Sequence, residues 1–291
     1  MKGIILGGGL GTRLYPITKA INKHLLNLYD KPVIYYPLST LMSLGINEIL
    51  LITQKNNIPF YKKILGNGND FGIKLNYAIQ NKPGGLTEAF TIGAKFIDKD
   101  SVALILGDNI FISETFTQYL SDKIRNFKSG GIILANKVAD PKPFGVVTFD
   151  KNFNVINVEE KPTKPKSNYI IPGLYFFDNN VVSIAKKITP SHRGEKEITS
   201  VINKYLENKT LKTIIMPKDT LWSDIGSINE LFKTTLFIKH FQNKHHKLVG
   251  SPELTAYQKK WISNKKLHHV SKVYEKTHYG EMLKKYNASI L

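Results

Sequence analysis

Residues 2–16 read KGIILGGGLGTRLYP. A short apolar run, KGIIL, ends in four glycines within five residues, and Thr12-Arg13 follows. The run has the length and composition of a buried strand. The dinucleotide fingerprint G-x-G-x-x-G, begun at Gly7, needs a glycine at its sixth position and meets Thr12 instead. The ATP-binding loop ends in Gly-Lys-Ser/Thr, which occurs nowhere in the chain. What remains is a strand, a glycine-rich loop and Thr-Arg. Consecutive glycines let backbone N–H groups converge on an anion at close range. Arg13 adds a forked donor suited to phosphate, and Lys23 lies close behind in sequence. Taken alone, the loop reads as a phosphate cradle or as a plain tight turn.

Outward from this loop, NEILLIT (47–53), IKLNYAIQ (73–80), SVALIL (101–106) and GGIILANKV (130–138) read as strands. Residues 32–44, 58–66, 85–96 and 115–127 read as helices between them. Strand and helix alternate, which predicts an α/β fold: a Rossmann-like, mostly parallel sheet flanked by helices. After Asp140 the pattern changes. VVTFD, NVINVEEKP and GLYFFD are short strands separated by turn residues, so an antiparallel meander laid onto the main sheet is expected. Helices are expected at 181–188 and 197–206. A strand, LKTIIMP (211–217), leads into a turn, LWSDIGS (221–227), and the rest is mostly helical.

The chain has 291 residues, enough for one large domain with an appendage. No apolar run approaches the ~18 residues that a membrane span requires. No targeting segment is legible at the N-terminus, so a cytoplasmic protein is expected. The absence of cysteine excludes disulfides and thiolate metal sites. A net charge of +18 invites a nucleic-acid reading. Only three of the 41 basic residues are arginine, however, and the lysines are scattered rather than clustered with aromatics. No nucleic-acid or membrane partner is therefore expected. Arg13 and Arg193 stand out because both sit in glycine-containing turns.

GGGLGTRLYPIT (7–18), the following Lys23 and YDKPVIYYPLSTLM (29–42) resemble the signature of the sugar-phosphate nucleotidylyltransferases. The resemblance continues through GDN (107–109), FGVV (144–147), EEKP (159–162), GLYF (173–176), RGE (193–195) and W-x-D-x-G (222–226). It covers nearly the whole chain, including PELTAYQKKWI near its end. Among the family's branches it is most similar to the bacterial thymidylyltransferases. That implies dTTP and glucose 1-phosphate as substrates, dTDP-glucose and pyrophosphate as products, and a place at the start of dTDP-rhamnose-type deoxysugar synthesis. The same chemistry with UTP or another hexose 1-phosphate, or a non-catalytic sugar-nucleotide binder, are the alternatives. The resemblance further implies a homotetramer. It divides the chain into a core over 1–240, with a nucleotide-binding half (1–138) and a sugar-binding half (139–227), and a helical appendage (241–291) at a subunit interface.

The reaction so implied joins two polyanions, so positioning and electrostatics dominate it. Asp108 follows an apolar strand, the place where open α/β sheets bind ligands. The resemblance pairs it with Asp224 as the ligands of Mg²⁺, an ion that takes one or two carboxylates plus phosphate oxygens. It gives Arg13, Lys23, Asp108, Lys161 and Asp224 catalytic roles. Leu6, Gly7, Gly8, Gly9, Gly11, Thr12, Arg13, Lys23, His24, Gln80, Pro83, Gly85 and Asp108 would bind the nucleotide. Gln80 and Gly85 would face the base, where Gln80 can offer both a donor and an acceptor. Asn109, Phe144, Gly145, Glu160, Lys161, Gly173, Tyr175 and Arg193 would bind the sugar phosphate. In an extended EEKP segment, Glu159 and Glu160 point to opposite faces, and the resemblance selects Glu160.

Several positions depart from the family pattern. His24 stands where Gln is common, Asn27 for Pro, Phe144 for Tyr and Pro172 for Thr. Ser223 and Ile225 replace the usual neighbours of Asp224. Sugar and base preference are therefore the properties most open to drift. Gln258 and Thr117 replace an Arg and a His tied to a second, regulatory site between subunits, so weakened feedback inhibition is expected.

Overall fold

The computed structural model describes residues 1–82 and 84–288. The first strand, β1 (Lys2–Leu6), runs into the glycine loop. A two-residue hairpin, β2 (Asn27–Leu28) and β3 (Lys31–Pro32), precedes helix α1 (Tyr35–Ser43). Then come β4 (Glu48–Thr53), α2 (Ile58–Leu65) and β5 (Lys74–Ile79). The helix expected over 85–96 is two short ones, α3 (Glu88–Ile92) and α4 (Ala94–Ile97). They break at Gly93, where a Cβ would lie 2.9 Å from the Ile4 side chain, so the chain there presses directly onto β1. Next are β6 (Val102–Leu106), β7 (Asn109–Ile112), α5 (Phe116–Ile124) and β8 (Gly131–Lys137).

Strands β5, β4, β1 and β6 are mutually parallel, in that spatial order. The chain winds outward from β1 to β5 and returns to place β6 on the other side of β1. Leu6 and Leu106 are register partners, so the two strands end together. This reversal of strand order is a topological switch point, and the crevice beyond it is where such sheets bind ligands.

The second half contains β9 (Gly145–Phe149), β10 (Val155–Glu160), β11 (Tyr169–Ile170) and β12 (Leu174–Phe177). Here the expected meander needs correction. β12 does not lie on the main sheet but inside it, antiparallel between β6 and β8. All four of its residues are buried, and LYFF carries side chains for both faces. β9, β10 and β11 extend the same sheet beyond β8. Helices α6 (Asn180–Lys187) and α7 (Ile198–Glu207) follow, then β13 (Leu211–Ile215), parallel to β8.

Period-two alternation divides the core between the sheet's two faces. Ile5, Leu51, Ile105 and Phe176 pack on one face against α1. Ile4, Leu50, Leu104 and Phe177 pack on the other, beneath α3, α6 and α7. The segment expected as a turn at 221–227 begins as a strand, β14 (Leu221–Asp224), antiparallel to β7. Helices α8 (Ile228–His245), α9 (Pro252–Gln258), α10 (Asn264–Val273) and α11 (His278–Ala288) complete the chain. α9 lies against α1, and its Ala256 joins the core cluster on that face. Buried Lys31 pairs with Asp30 and bonds Gln242 of α8 at 3.4 Å, while buried Glu253 accepts from Tyr279 of α11. The C-terminal helices are thus anchored to the body by a buried polar network. None of the described helices is long and apolar enough to cross a membrane.

Candidate active site

The β7–β14 pairing assembles the site. Its register sets Asp224 opposite Asn109, and Ile225 N–H donates to the Asp108 carbonyl at 2.9 Å. Two residues over 100 positions apart in sequence thereby become neighbours, with their carboxylates in hydrogen-bonding reach of each other. Burial would raise the Asp108 pKa, but ion-paired Lys23 and nearby His24 override it and hold it well below the usual carboxylate range. Burial and the charge of Asp108 push Asp224 well above that range. Two carboxylates that cannot comfortably both ionise are what a cation relieves. No cluster of three or more His, Cys, Asp or Glu suited to a metal occurs among the described residues. The protein would then supply two oxygens' worth of charge and the substrate phosphates the remainder, a donor set that fits a hard divalent ion.

Three cavities meet around this pair. The smallest, about 170 Å³, is lined by Leu6, Gly8, Gly9, Lys23, His24, Gln80, Gly85 and Asp108 among others. A second, about 230 Å³, lies under Gly9, Gly11, Thr12, Arg13 and Lys23. The largest, about 710 Å³, is lined by Asn109, Phe144, Gly145, Glu160, Lys161, Gly173, Tyr175 and Asp224. It shares Leu86, Leu106 and Glu195 with the smallest. The expected residues therefore gather, with three exceptions. Gly7 lies behind the loop: its N–H donates to Ile52 O at 2.8 Å and is spent on the sheet. Arg193 stands back from the wall, 3.2 Å from Glu197 and 3.6 Å from Glu160. Pro83 lies outside the described residues.

Local structure explains the placement of the others. Gly85 has φ +102°, and a Cβ there would sit 2.3 Å from Lys196 O, so only glycine fits. Lys161 also has a positive φ, +42°, and as a non-glycine residue it carries backbone strain at the cavity mouth. Asn109 accepts from Gly173 N–H at 2.9 Å and from Trp222 Nε1 at 2.8 Å, and donates to Asp108 at 3.2 Å. Its side chain thus builds the site more than it offers itself to a ligand. Burial and the charge of Glu197 raise the Glu160 pKa, against the pull of Lys161 and Arg193.

Trp222, the first residue of the W-x-D-x-G motif, is a cavity residue that was given no role from sequence, and Phe144 meets its ring edge-on at 5.2 Å. The signal was present: in a strand, residues 222 and 224 share a face. Glu197, 6% exposed and bonded to Ser191 at 3.0 Å and to Arg193, opens the helix expected over 197–206 and was given no role from sequence. Of the departures from the family pattern, Ile225 is buried among Leu28, Val33 and Ile110, and the Ser223 hydroxyl is 2.7 Å from that of Thr234.

His24 is 1% exposed. Burial foremost, and then the charge of Lys23, lower its pKa from 6.5 to about 3, against the opposing pull of Asp108. Its Nδ1 lies 2.6 Å from Asn22 Oδ1 and 3.3 Å from the Tyr61 hydroxyl. Between those two pKa values the unfolded chain binds a proton that folded His24 does not, so stability is lost as pH falls through this range. His24→Gln cannot titrate. Urea unfolding at pH 7 and pH 5 is expected to show wild type losing more stability on acidification than the variant does.

The comparisons with known proteins place the chain in a family. Residues 2–240 match the family model described as nucleotidyl transferase. A Neisseria gonorrhoeae glucose-1-phosphate thymidylyltransferase is 46% identical over 283 residues, 97% of this chain and 98% of its own. The Mycolicibacterium smegmatis protein of the same name is 45% identical over 285 residues, with the same coverage. A crystal structure of a Bacillus anthracis protein assigned as a glucose-1-phosphate thymidylyltransferase, with sucrose bound, superposes with TM-score 0.75 at 39% identity. It covers 81% of this chain and 94% of that one. Fold, paired carboxylates and sequence thus lead to one assignment: the chain belongs to the nucleotidyl transferase family.

Proposed function

We propose that this enzyme transfers a thymidylyl group from dTTP to glucose 1-phosphate. The observation that carries the reading is the Asp108–Asp224 pair at the junction of three cavities. A glycine-loop cavity ending at Gln80 suits a nucleoside, the one under Arg13 suits its outer phosphates, and the largest suits a hexose phosphate. A sugar-phosphate oxygen forms a bond to the α-phosphorus, and the bond to the pyrophosphate oxygen breaks. The nucleophile is already an anion, so no general base is needed.

Mg²⁺ is the divalent ion we assign to the two carboxylates, where it would neutralise phosphate charge. Lys23, paired with Asp108 in the free protein, turns to the α-phosphate when nucleotide binds. Arg13, whose guanidinium lies against Gly226 beside Asp224, holds the departing phosphates. Lys161 reaches the sugar phosphate directly, and Arg193 joins it on release from Glu160 and Glu197. Glu160 and the backbone around Gly145 and Gly173 orient the sugar hydroxyls.

A second copy of the chain belongs to this reading. Ile228, Phe232 and Leu236 on α8 are 44%, 68% and 58% exposed, and their i, i+4, i+8 spacing makes one apolar stripe. The stripe lies ahead of the 241–291 segment expected to carry the interface.

The test is pyrophosphate release with Mg²⁺, crossing dTTP, UTP, CTP, ATP and GTP against several hexose 1-phosphates. Turnover is expected with dTTP, and more weakly with UTP, paired with glucose 1-phosphate. Preference for a purine nucleotide or another sugar would overturn the substrate assignment. Absence of turnover with every pair would overturn the transfer reading itself.

A further inference from the structure

Gln80 follows β5 at the crevice and is 5% exposed. Its Nε2 lies 2.9 Å from Glu88 Oε2 and 3.5 Å from the Gly85 carbonyl. An ionised carboxylate can only accept, so the NH₂ end of the amide must face Glu88. Both acceptors lie on that side, and the carbonyl oxygen is left for the cavity. Oε1 sits 2.7 Å from where a Cβ on Gly8 would be, so it faces the glycine loop, and only glycine leaves it that room. From sequence, Gln80 offers a donor and an acceptor; the fold leaves the acceptor alone.

Glu88 does not line the cavity. It is half-buried at the start of α3, and the chain at Gly84 passes so near that a Cβ there would be 2.1 Å from Glu88 Oε1. Its carboxylate is therefore held in place over the amide.

We propose that Glu88 is a positioning residue for base selection: by holding the Gln80 amide it presents only a carbonyl oxygen to the base. The pocket then admits a pyrimidine whose ring nitrogen carries a hydrogen, as in thymine and uracil. It rejects cytosine, whose matching nitrogen is a lone pair that would meet Oε1 head-on. This rests on the smallest cavity being the nucleoside site.

The experiment compares kcat/KM for dTTP, dCTP and N3-methyl-dTTP, with glucose 1-phosphate, in wild type, Glu88→Gln, Glu88→Ala and Glu88→Lys. Calorimetric binding of dTMP and dCMP runs alongside. Wild type is expected to favour dTTP over dCTP by about 100-fold or more, because an analogue lacking the matched N–H leaves a buried acceptor unpaired. Glu88→Gln still offers a carbonyl to the Gln80 NH₂ and keeps the ratio within about threefold. Glu88→Lys offers only donors, turns the amide over, and lowers the dTTP/dCTP ratio about tenfold or more. N3-methyl-dTTP, which has no ring N–H, is poor in wild type and no poorer relative to dTTP in Glu88→Lys. If circular dichroism shows that Glu88→Lys does not fold, Glu88→Ala decides: its freed amide lowers the ratio by about threefold or more.

A ratio in Glu88→Lys and Glu88→Ala equal to wild type would overturn the proposal. So would collapse of the ratio in Glu88→Gln, or efficient use of N3-methyl-dTTP by wild type. If wild type turns over none of these nucleotides, the transfer reading fails. The dTMP-over-dCMP binding preference and its loss in Glu88→Lys still decide the role of Glu88.

Discussion

Asp224→Asn lowers kcat with dTTP and glucose 1-phosphate by about a thousandfold or more, because one of the two carboxylates we propose to hold the divalent ion is lost. Asp108→Asn has a loss of similar size, since on the same proposal the two groups act on one ion. The variant keeps its fold. Asp224 is half-buried and sits beside a second carboxylate that Lys23 keeps ionised, so its negative charge is a burden to the metal-free protein. Its pKa is raised on folding, so the folded state binds a proton that the unfolded state releases. The stability this contributes is full below the ordinary carboxylate pKa and is lost as pH rises toward the raised value. Without divalent ion, Asp224→Asn is therefore expected to melt higher than wild type at pH 8 and to lose that advantage near pH 4. Adding Mg²⁺ with nucleotide should raise the wild-type midpoint and leave the variant's nearly unmoved. Full activity in Asp224→Asn would remove the metal-ligand assignment. A variant that melts lower at pH 8 would refute the account of the pair's electrostatics.

Phe177→Ala destabilises the protein by about 3–5 kcal/mol, the range for truncating a fully buried aromatic. Phe177 is 0% exposed on β12, the strand inserted between β6 and β8. Its ring stacks on Tyr205 of α7 at 5.0 Å and meets Phe90 of α3 edge-on at 5.6 Å. Gly131 of the neighbouring strand approaches so closely that a Cβ there would lie 3.0 Å from the ring. Few neighbours can collapse into the space, because sheet backbone and two helices line it. Urea unfolding with an unchanged m-value would measure the loss as stability alone. A cost under about 1 kcal/mol would mean that β12 is not packed at the centre of this face.

The variant also bears on the site. β12 follows Gly173 directly, and Gly173 N–H donates to the Asn109 side chain that in turn bonds Asp108. Loosening β12 should therefore raise KM for the sugar phosphate before it abolishes turnover.

Much of this protein is written locally. KGIIL and SVALIL are apolar runs of strand length, each ending where a loop must carry function, and the glycine loop excludes two better-known phosphate motifs, one at Thr12 and the other by lacking Gly-Lys-Ser/Thr. Periodicity therefore sufficed for the parallel half, since each βα step depends on a few consecutive residues. The charged groups that the fold gathers at the crevice, Arg13, Lys23, Asp108 and Asp224, could also be named in advance, because they sit in motifs that hold their order along the chain.

What the tertiary structure decided has another origin. LYFF is apolar on both faces, which suits a strand buried in a sheet, but no local pattern says between which strands it enters. LWSD reads as a turn until it meets NIFI, and that non-local pairing alone brings Asp224 to Asp108. Gln80 carries a donor and an acceptor in any sequence; the neighbour that selects between them, Glu88 at the start of α3, meets it only in the folded chain. Hydrogen-bond direction, carboxylate pairing and strand order are relations between distant residues. A sequence specifies them only through the packing that brings those residues together.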